Sequence, residues 1–105
     1  MIETPTNRDE LHDLLVEVLG SSNVYYNPPE SVKMKYPAIV YHKEKIKSEF
    51  AEGAIYKKTY IYSVTLIEQN PDSDAVDRIL QLPYCEHDRS YTVNGMYHDV
   101  FIIKY

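Results

Sequence analysis

Apolar residues recur at Leu11, Leu14, Leu15, Val18 and Leu19, spaced i, i+3, i+4, i+7 and i+8 among mostly polar neighbours. That spacing gathers them into one stripe and predicts an amphipathic helix over residues 7–19. Asn7 stands where an N-cap belongs, with Glu10 at the third helical position, an Asn variant of the capping box. Asp9 and Glu10 suit the positive end of the helix dipole, and Gly20 stops the helix.

Beyond Gly20 the period changes from helical to alternating. Residues 56–68 are the longest strand-like stretch, β-branched or aromatic almost throughout from Tyr60 onward. Tyr60, Tyr62, Val64 and Leu66 are uniformly apolar or aromatic, whereas Ile61, Ser63, Thr65 and Ile67 are mixed. The even-numbered face is therefore expected to meet the core. This strand is read as the central one. Val24-Tyr25-Tyr26 makes a short strand ended by Asn27-Pro28-Pro29, and prolines without donors mean that it sits at an edge or leaves the sheet there. A second strand begins at Tyr36-Pro37-Ala38-Ile39-Val40-Tyr41-His42 and turns charged toward Ile46. Residues 47–55, with Gly53 and several charges, are expected to join it to the central strand as a mobile, charged hairpin tip.

After the central strand, Asp72 or Ser73 caps a second helix containing Val76, Ile79 and Leu80, and Pro83 ends it. Two last strand-like runs, 84–93 and 96–105, flank Asn94-Gly95, the pair that most strongly signals a type I′ hairpin. The order is α-β-β-β-α-β-β. It predicts an α+β fold in which two helices pack on a mostly antiparallel sheet. A chain of 105 residues makes this one domain, spanning 1–105.

Charge adds a direction to this picture. The net charge is −5, so the chain as a whole is not drawn to nucleic acid. Between Glu30 and Lys58, however, seven lysines face four glutamates, a local +3, and the remainder carries −8. Lys43, Lys45, Lys47, Lys57 and Lys58 crowd the central hairpin, where they guard an edge or orient an assembly. Alternating glutamates dilute their field, which argues against specific nucleic-acid binding. Eleven tyrosines and no tryptophan suit a small sheet and its interfaces alike, with Tyr25 and Tyr26 as candidate contact residues. The opening Met-Ile-Glu-Thr-Pro carries no apolar leader, and no stretch reaches the roughly 18 apolar residues of a membrane span. The single Cys85 excludes an internal disulfide and fits a reducing compartment.

Candidate chemistry is sparse. Cys85, His87 and His98, with His42 as a fourth, are the only grouping with metal-ligand character. A two-residue turn at Asn94-Gly95 would pair Val93 with Met96 and Tyr91 with His98. His87 then lies roughly 13 Å further along at about 3.3 Å per residue, too far for ligands that zinc holds at about 2.0 to 2.3 Å. Cys85 reads as a small hydrophobe. His98 and Asp99 are adjacent on a strand and point to opposite faces, so they make no acid–base pair without a bulge. Neither a Gly-rich phosphate loop nor a Gly-x-Ser-x-Gly nucleophile turn is present. No enzyme, cofactor or metal is expected.

Val24-Tyr25-Tyr26-Asn27-Pro28-Pro29, Tyr36-Pro37-Ala38-Ile39-Val40-Tyr41, Val64-Thr65-Leu66-Ile67-Glu68 with Asn70-Pro71-Asp72-Ser73, and His98-Asp99-Val100-Phe101 together carry a resemblance. Along nearly its whole length the chain resembles the tail terminator, or tail-completion, proteins of long-tailed (siphophage-type) bacteriophages and prophages. The resemblance implies a homo-oligomeric ring, commonly a hexamer, that caps the tail tube, ends its polymerisation and joins tail to head. It implies the tail-tube protein and a head–tail connector as partners, with DNA passing through unbound. The place of action would be the virion tail, and the host cytoplasm during assembly. Asp72, Asp74, Asp77, Glu86 and Asp88 are expected on an acidic channel wall that releases DNA. The alternatives are another head–tail connector or minor capsid protein, or a small enzyme or metal-binding module using Cys85, His87 and His98.

Overall fold

The computed structural model describes residues 7–105; the acidic opening at 1–6, read above as lacking a leader, lies outside the described residues. Among the described residues the order is α1 (Arg8–Leu19), β1 (Val24–Tyr26), β2 (Ala38–Ala51), β3 (Ala54–Glu68), α2 (Asp74–Leu80), β4 (Cys85–Val93) and β5 (Met96–Lys104). This is the α+β arrangement expected from the periodicity. The five strands form one sheet in the order β1-β2-β3-β5-β4, antiparallel except where β1 runs parallel to β2.

Local chemistry explains the element ends. The Asn7 side chain accepts from the Glu10 amide at 2.9 Å, and Gly20 takes the left-handed conformation at φ 77° that closes the helix. Ser73, not Asp72, caps α2, its Oγ accepting from the Ala75 amide at 3.1 Å. Asn94 and Gly95 both have positive φ, the signature of the type I′ turn, and Val93 pairs with Met96.

The core lies on one side of the sheet. Tyr62, Val64 and Leu66 of β3 meet Ile39 and Tyr41 of β2, Phe101 and Ile103 of β5, and the buried faces of both helices. Leu11, Leu15 and Val18 supply the α1 face; Ala75 and Ile79 supply that of α2. Arg78 ties the two helices together, its Nε donating to the Val18 carbonyl at 2.6 Å. Tyrosines do much of the filling. Tyr26, Tyr41, Tyr62 and Tyr105 run across the strands with successive ring centroids 5.0, 6.4 and 5.5 Å apart.

The long connection expected at 47–55 is strand instead. β2 and β3 stay paired from Ala38–Ile67 out to Ala51–Ala54, and only Glu52-Gly53 turns between them. Glu52 and Gly53 have φ of 53° and 79°, so this too is a tight turn with both central residues left-handed. A glutamate in place of the usual Asn or Asp hides it from pattern reading. β1 reaches only as far as Tyr41, and β5 pairs with β3 only from Ile61 onward, with Tyr105 bonding Tyr60 just beyond. Residues 47–51 and 54–59 thus leave the sheet as a two-stranded arm, roughly 17–20 Å long at about 3.4 Å per residue. The molecule is accordingly elongated, 51 × 33 × 23 Å, with a radius of gyration of 14.7 Å. A compact chain of this size would have about 13 Å.

Candidate functional site

The arm is the most distinctive surface of the molecule. Directly paired strand residues share a face, so the register assigns each side chain to one side of the ribbon. Ile46 pairs with Tyr60, Ser48 with Lys58 and Phe50 with Ile55, and these lie on the side that carries the helices nearer the core. Tyr56 is the extra residue of a bulge between the Glu49–Lys57 and Phe50–Ile55 pairs. Ile46, Phe50, Ile55 and Tyr56 are all solvent-exposed, Phe50 at 64% and Tyr56 at 69%.

The five hairpin lysines divide between the two faces. A second bulge at Glu44 sets Lys43 on the helix side, where its ammonium lies 5.2 Å from the centre of the Tyr60 ring. Lys58 shares that side through its pairing with Ser48. Lys45 pairs with Ile61, Lys47 with Thr59 and Lys57 with Glu49 on the opposite side, and Lys104 joins them there through Ile61. Lys57 approaches Glu49 at 3.9 Å, both exposed, so that pair contributes little to stability. The arm is apolar with two flanking lysines on one face and basic on the other. Grouping by sequence had treated the lysines as one patch; alternation and the bulge separate them.

The other expected contact residues are scattered. Tyr26 is half-buried, packed on Tyr41 with the Arg8 guanidinium 4.2 Å over its ring, so its body belongs to the core margin. Tyr25 points to the other side of β1 and its hydroxyl accepts from the Lys35 amide at 3.3 Å. Asp74 and Asp77 are exposed neighbours on α2, three residues apart. Asp88 sits on a different element, the outer strand β4, with the Arg89 guanidinium 2.8 Å away.

Cys85, His87 and His98 do not converge. Tyr91 pairs with His98 as the turn predicts, but Asp88 is the extra residue of a bulge, so His87 pairs with Phe101. His87 and Cys85 face the helix side, while His98 stacks on Tyr91 on the back of the sheet, ring centres 4.7 Å apart. His42 bonds Glu44 at 2.9 Å. Among the described residues no group of three or more His, Cys, Asp or Glu side chains is placed to hold a metal ion. Burial, and then the neighbouring Glu86 charge, push the Cys85 thiol up from 9.0 to about 11. A thiol so shifted is a poor nucleophile and a poor ligand at neutral pH.

The same bulge creates a cluster that the sequence did not suggest. His87 Nε2 lies 3.1 Å from both Ser90 Oγ and Asp99 Oδ1, and Ser90 Oγ donates to that same carboxylate oxygen. Serine, histidine and aspartate in contact invite comparison with a nucleophilic triad. In such a triad the hydroxyl and the carboxylate occupy different ring nitrogens, so the imidazole accepts the serine proton. Here both share Nε2 and the hydroxyl already points at the carboxylate. The cluster satisfies Asp99 at the sheet margin and does not activate Ser90. On the back of the sheet, the segment after β1 leaves an open groove of about 310 Å³ between Pro28, Pro29, Val32 and Met34 and strand residues including Ile67 and His98. Its polar lining comes from Glu30, Thr65, Tyr91 and His98, with the Tyr91 and His98 rings stacked on one another.

Comparison of the sequence with models of known protein families and with curated proteins gives no match. Among the described residues no helix is long and apolar enough to cross a membrane.

Proposed function

We propose that this chain is a structural protein of a long-tailed bacteriophage or prophage, closing into a homo-oligomeric ring on the end of the tail tube. In the proteins it resembles the ring is commonly a hexamer. The ring ends tube polymerisation and presents a surface to the head–tail connector, acting in the virion tail after assembly in the host cytoplasm. It works by shape and contact, without catalysis or cofactor, and DNA crosses it without specific binding.

The observation that carries this reading is the arm. A two-stranded ribbon is marginal in water by itself, and this one exposes Phe50, Ile55 and Tyr56 beyond the shelter of the helices. Apolar area displayed on a projecting ribbon is stabilised by a partner. The charge split supports a partner of opposite sign: +3 over residues 30–58 against −8 elsewhere in the same chain. A basic arm on one copy thus complements an acidic surface on the next, and such contacts between unlike surfaces close into a ring when the rotation between copies closes.

The test changes Lys43, Lys45 and Lys47 together to Glu. These side chains lie on the arm and its base, outside the core, so the circular dichroism spectrum should be unchanged. Assembly with copies of itself and on tail ends should weaken at least ten-fold in apparent affinity, with a loss of salt dependence, since charged rims act chiefly on encounter and register. Mass measurement in solution, alone and with tail tubes, reads both. A variant that caps tails as wild type does would remove the arm from the docking machinery.

A further inference from the structure

We propose that the apolar face of the arm seats on the C-terminal end of α2 in a second copy of this chain, against Leu80 and Tyr84. The inference rests on the self-association proposed above, and adds which two surfaces meet.

The donor surface is the row Ile46, Phe50 and Ile55 with Tyr56 at its bulge, flanked on the same face by Lys43 and Lys58. Among the described residues this row stays about half to two-thirds exposed, from Ile46 at 47% to Tyr56 at 69%. Both helices sit over the strand segments that carry Ile39, Tyr41, Val64 and Phe101, and the arm begins where β5 has ended.

The seat must offer apolar area with negative charge beside it, and α2 does. Leu80 is exposed at the last turn and Tyr84 is 69% exposed just beyond it. Asp77 precedes Leu80 by three residues and Asp74 precedes Asp77 by three, so both carboxylates line the helix surface leading to Leu80. Tyr84 is held in place by its backbone, which has a φ of 54° and whose carbonyl accepts from the Lys104 amide at 3.1 Å. Two apolar groups flanked by two carboxylates thus face an apolar row flanked by two lysines.

Position in the sheet allows the match between neighbours. The Lys104 bond puts Tyr84 level with the start of the arm, on the β4 side of the sheet, while the arm rises from β2 and β3. Within one chain, β5 separates the two surfaces. Between chains standing side by side, the β4 margin of one brings Leu80 and Tyr84 toward the arm of the next. The contact is heterologous, as a ring requires. It also assigns Asp74 and Asp77 to the subunit boundary and not to a channel wall.

Two single-cysteine variants test the pairing, both made in a Cys85→Ser background. Chains carrying Phe50→Cys are mixed with chains carrying Tyr84→Cys and oxidised at concentrations where the wild type associates. A disulfide between unlike variants is expected, and Phe50→Ser or Leu80→Ser should each weaken self-association at least roughly ten-fold, the size of an interface hot spot. Crosslinks only between Phe50→Cys chains would overturn the proposal in favour of symmetric arm–arm contact. Arms that bind anionic phospholipid vesicles while the chains stay apart would overturn it in favour of a membrane surface. Asp74→Lys with Asp77→Lys should abolish assembly; normal rings with slowed DNA ejection would overturn the seat and return these residues to the channel. Any of these results in chains that still cap tails leaves the ring reading intact. A wild-type chain that stays monomeric alone and with tail tubes would sink both.

Discussion

At the scale of single residues, burial sets the chemistry more than residue type does. Cys85 and His87 look reactive in a list, but the thiol is packed against the core and pushed up to about 11, while the imidazole shares one nitrogen between Ser90 and Asp99. Alkylation by iodoacetamide at neutral pH should therefore be about a hundred-fold slower in the folded chain than in the unfolded one, the ratio of thiolate populations for a two-unit difference. Mass spectrometry of labelled protein with and without denaturant reads this directly, and equal rates would mean that Cys85 is not held against the core. Tyr41 shows the opposite case, a polar group used structurally. It is fully buried, and its hydroxyl shares a 2.7 Å hydrogen bond with His12 Nδ1. Tyr41→Phe should cost about 1 kcal/mol in urea unfolding, whereas Tyr97→Phe, at a more exposed site, should cost nothing measurable. The capping pattern at Asn7 and the helical stripe were legible from the residues because both are local. The Asp99 cluster was not, since it depends on which residue of β4 is left unpaired.

At the scale of elements, the arm is held among the described residues by turn geometry and cross-strand pairing. Glu52 occupies a left-handed position at φ 53° that L-residues other than Asn and Asp adopt at a cost. Nothing lies within 4 Å of where a side chain at the neighbouring Gly53 would project, so the turn is constrained by backbone preference and not by crowding. Glu52→Asn should stabilise the arm by about 0.5 to 1 kcal/mol. Amide exchange in residues 47–59 should slow while exchange in β5 stays the same; unchanged arm exchange would show that the turn does not limit its opening. The lysine substitutions described above belong to this scale as well, because alternation makes the two faces of one ribbon chemically different. The bulges at Glu44, Tyr56 and Asp88 add twist and interrupt the sheet margins, which discourages indiscriminate edge pairing.

For the whole molecule, stability should fall on the alkaline side. Cys85, Tyr41 and Tyr105 are all pushed up, in each case first by burial, so the native state holds their protons more tightly than the unfolded chain does. The stability this contributes is fully present below the unfolded values, 9.0 for the thiol and 10.0 for the phenols, and is lost as pH rises through the folded ones. For Cys85 the window runs from 9.0 to about 11. Thermal unfolding followed from pH 7 to 10.5 should show a decline beginning near pH 9, and Cys85→Ser should remove its first part. A flat profile would mean these groups reach water in the folded protein.

What the residues by themselves determined is whatever depends on near neighbours: both helices and the caps of α1, the Asn94-Gly95 turn, the register that follows from it up to Tyr91 and His98, and the even face of β3 as the core face. Pairing across the sheet decided the rest. The parallel seating of β1 on β2, the bulge that turns His87 and His98 to opposite sides, and the extent of β2 beyond its neighbours depend on contacts between distant segments. The arm illustrates why. Residues 47–55 carry charges and a glycine, and by local preference they read as a loop. They become ribbon because the ladder begun at Ala38 and Ile67 continues in register to a turn that only two residues make. They become an exposed arm because β1 and β5 stop short. The bare edges of the arm are a property of where other strands end, and no window of sequence contains that information.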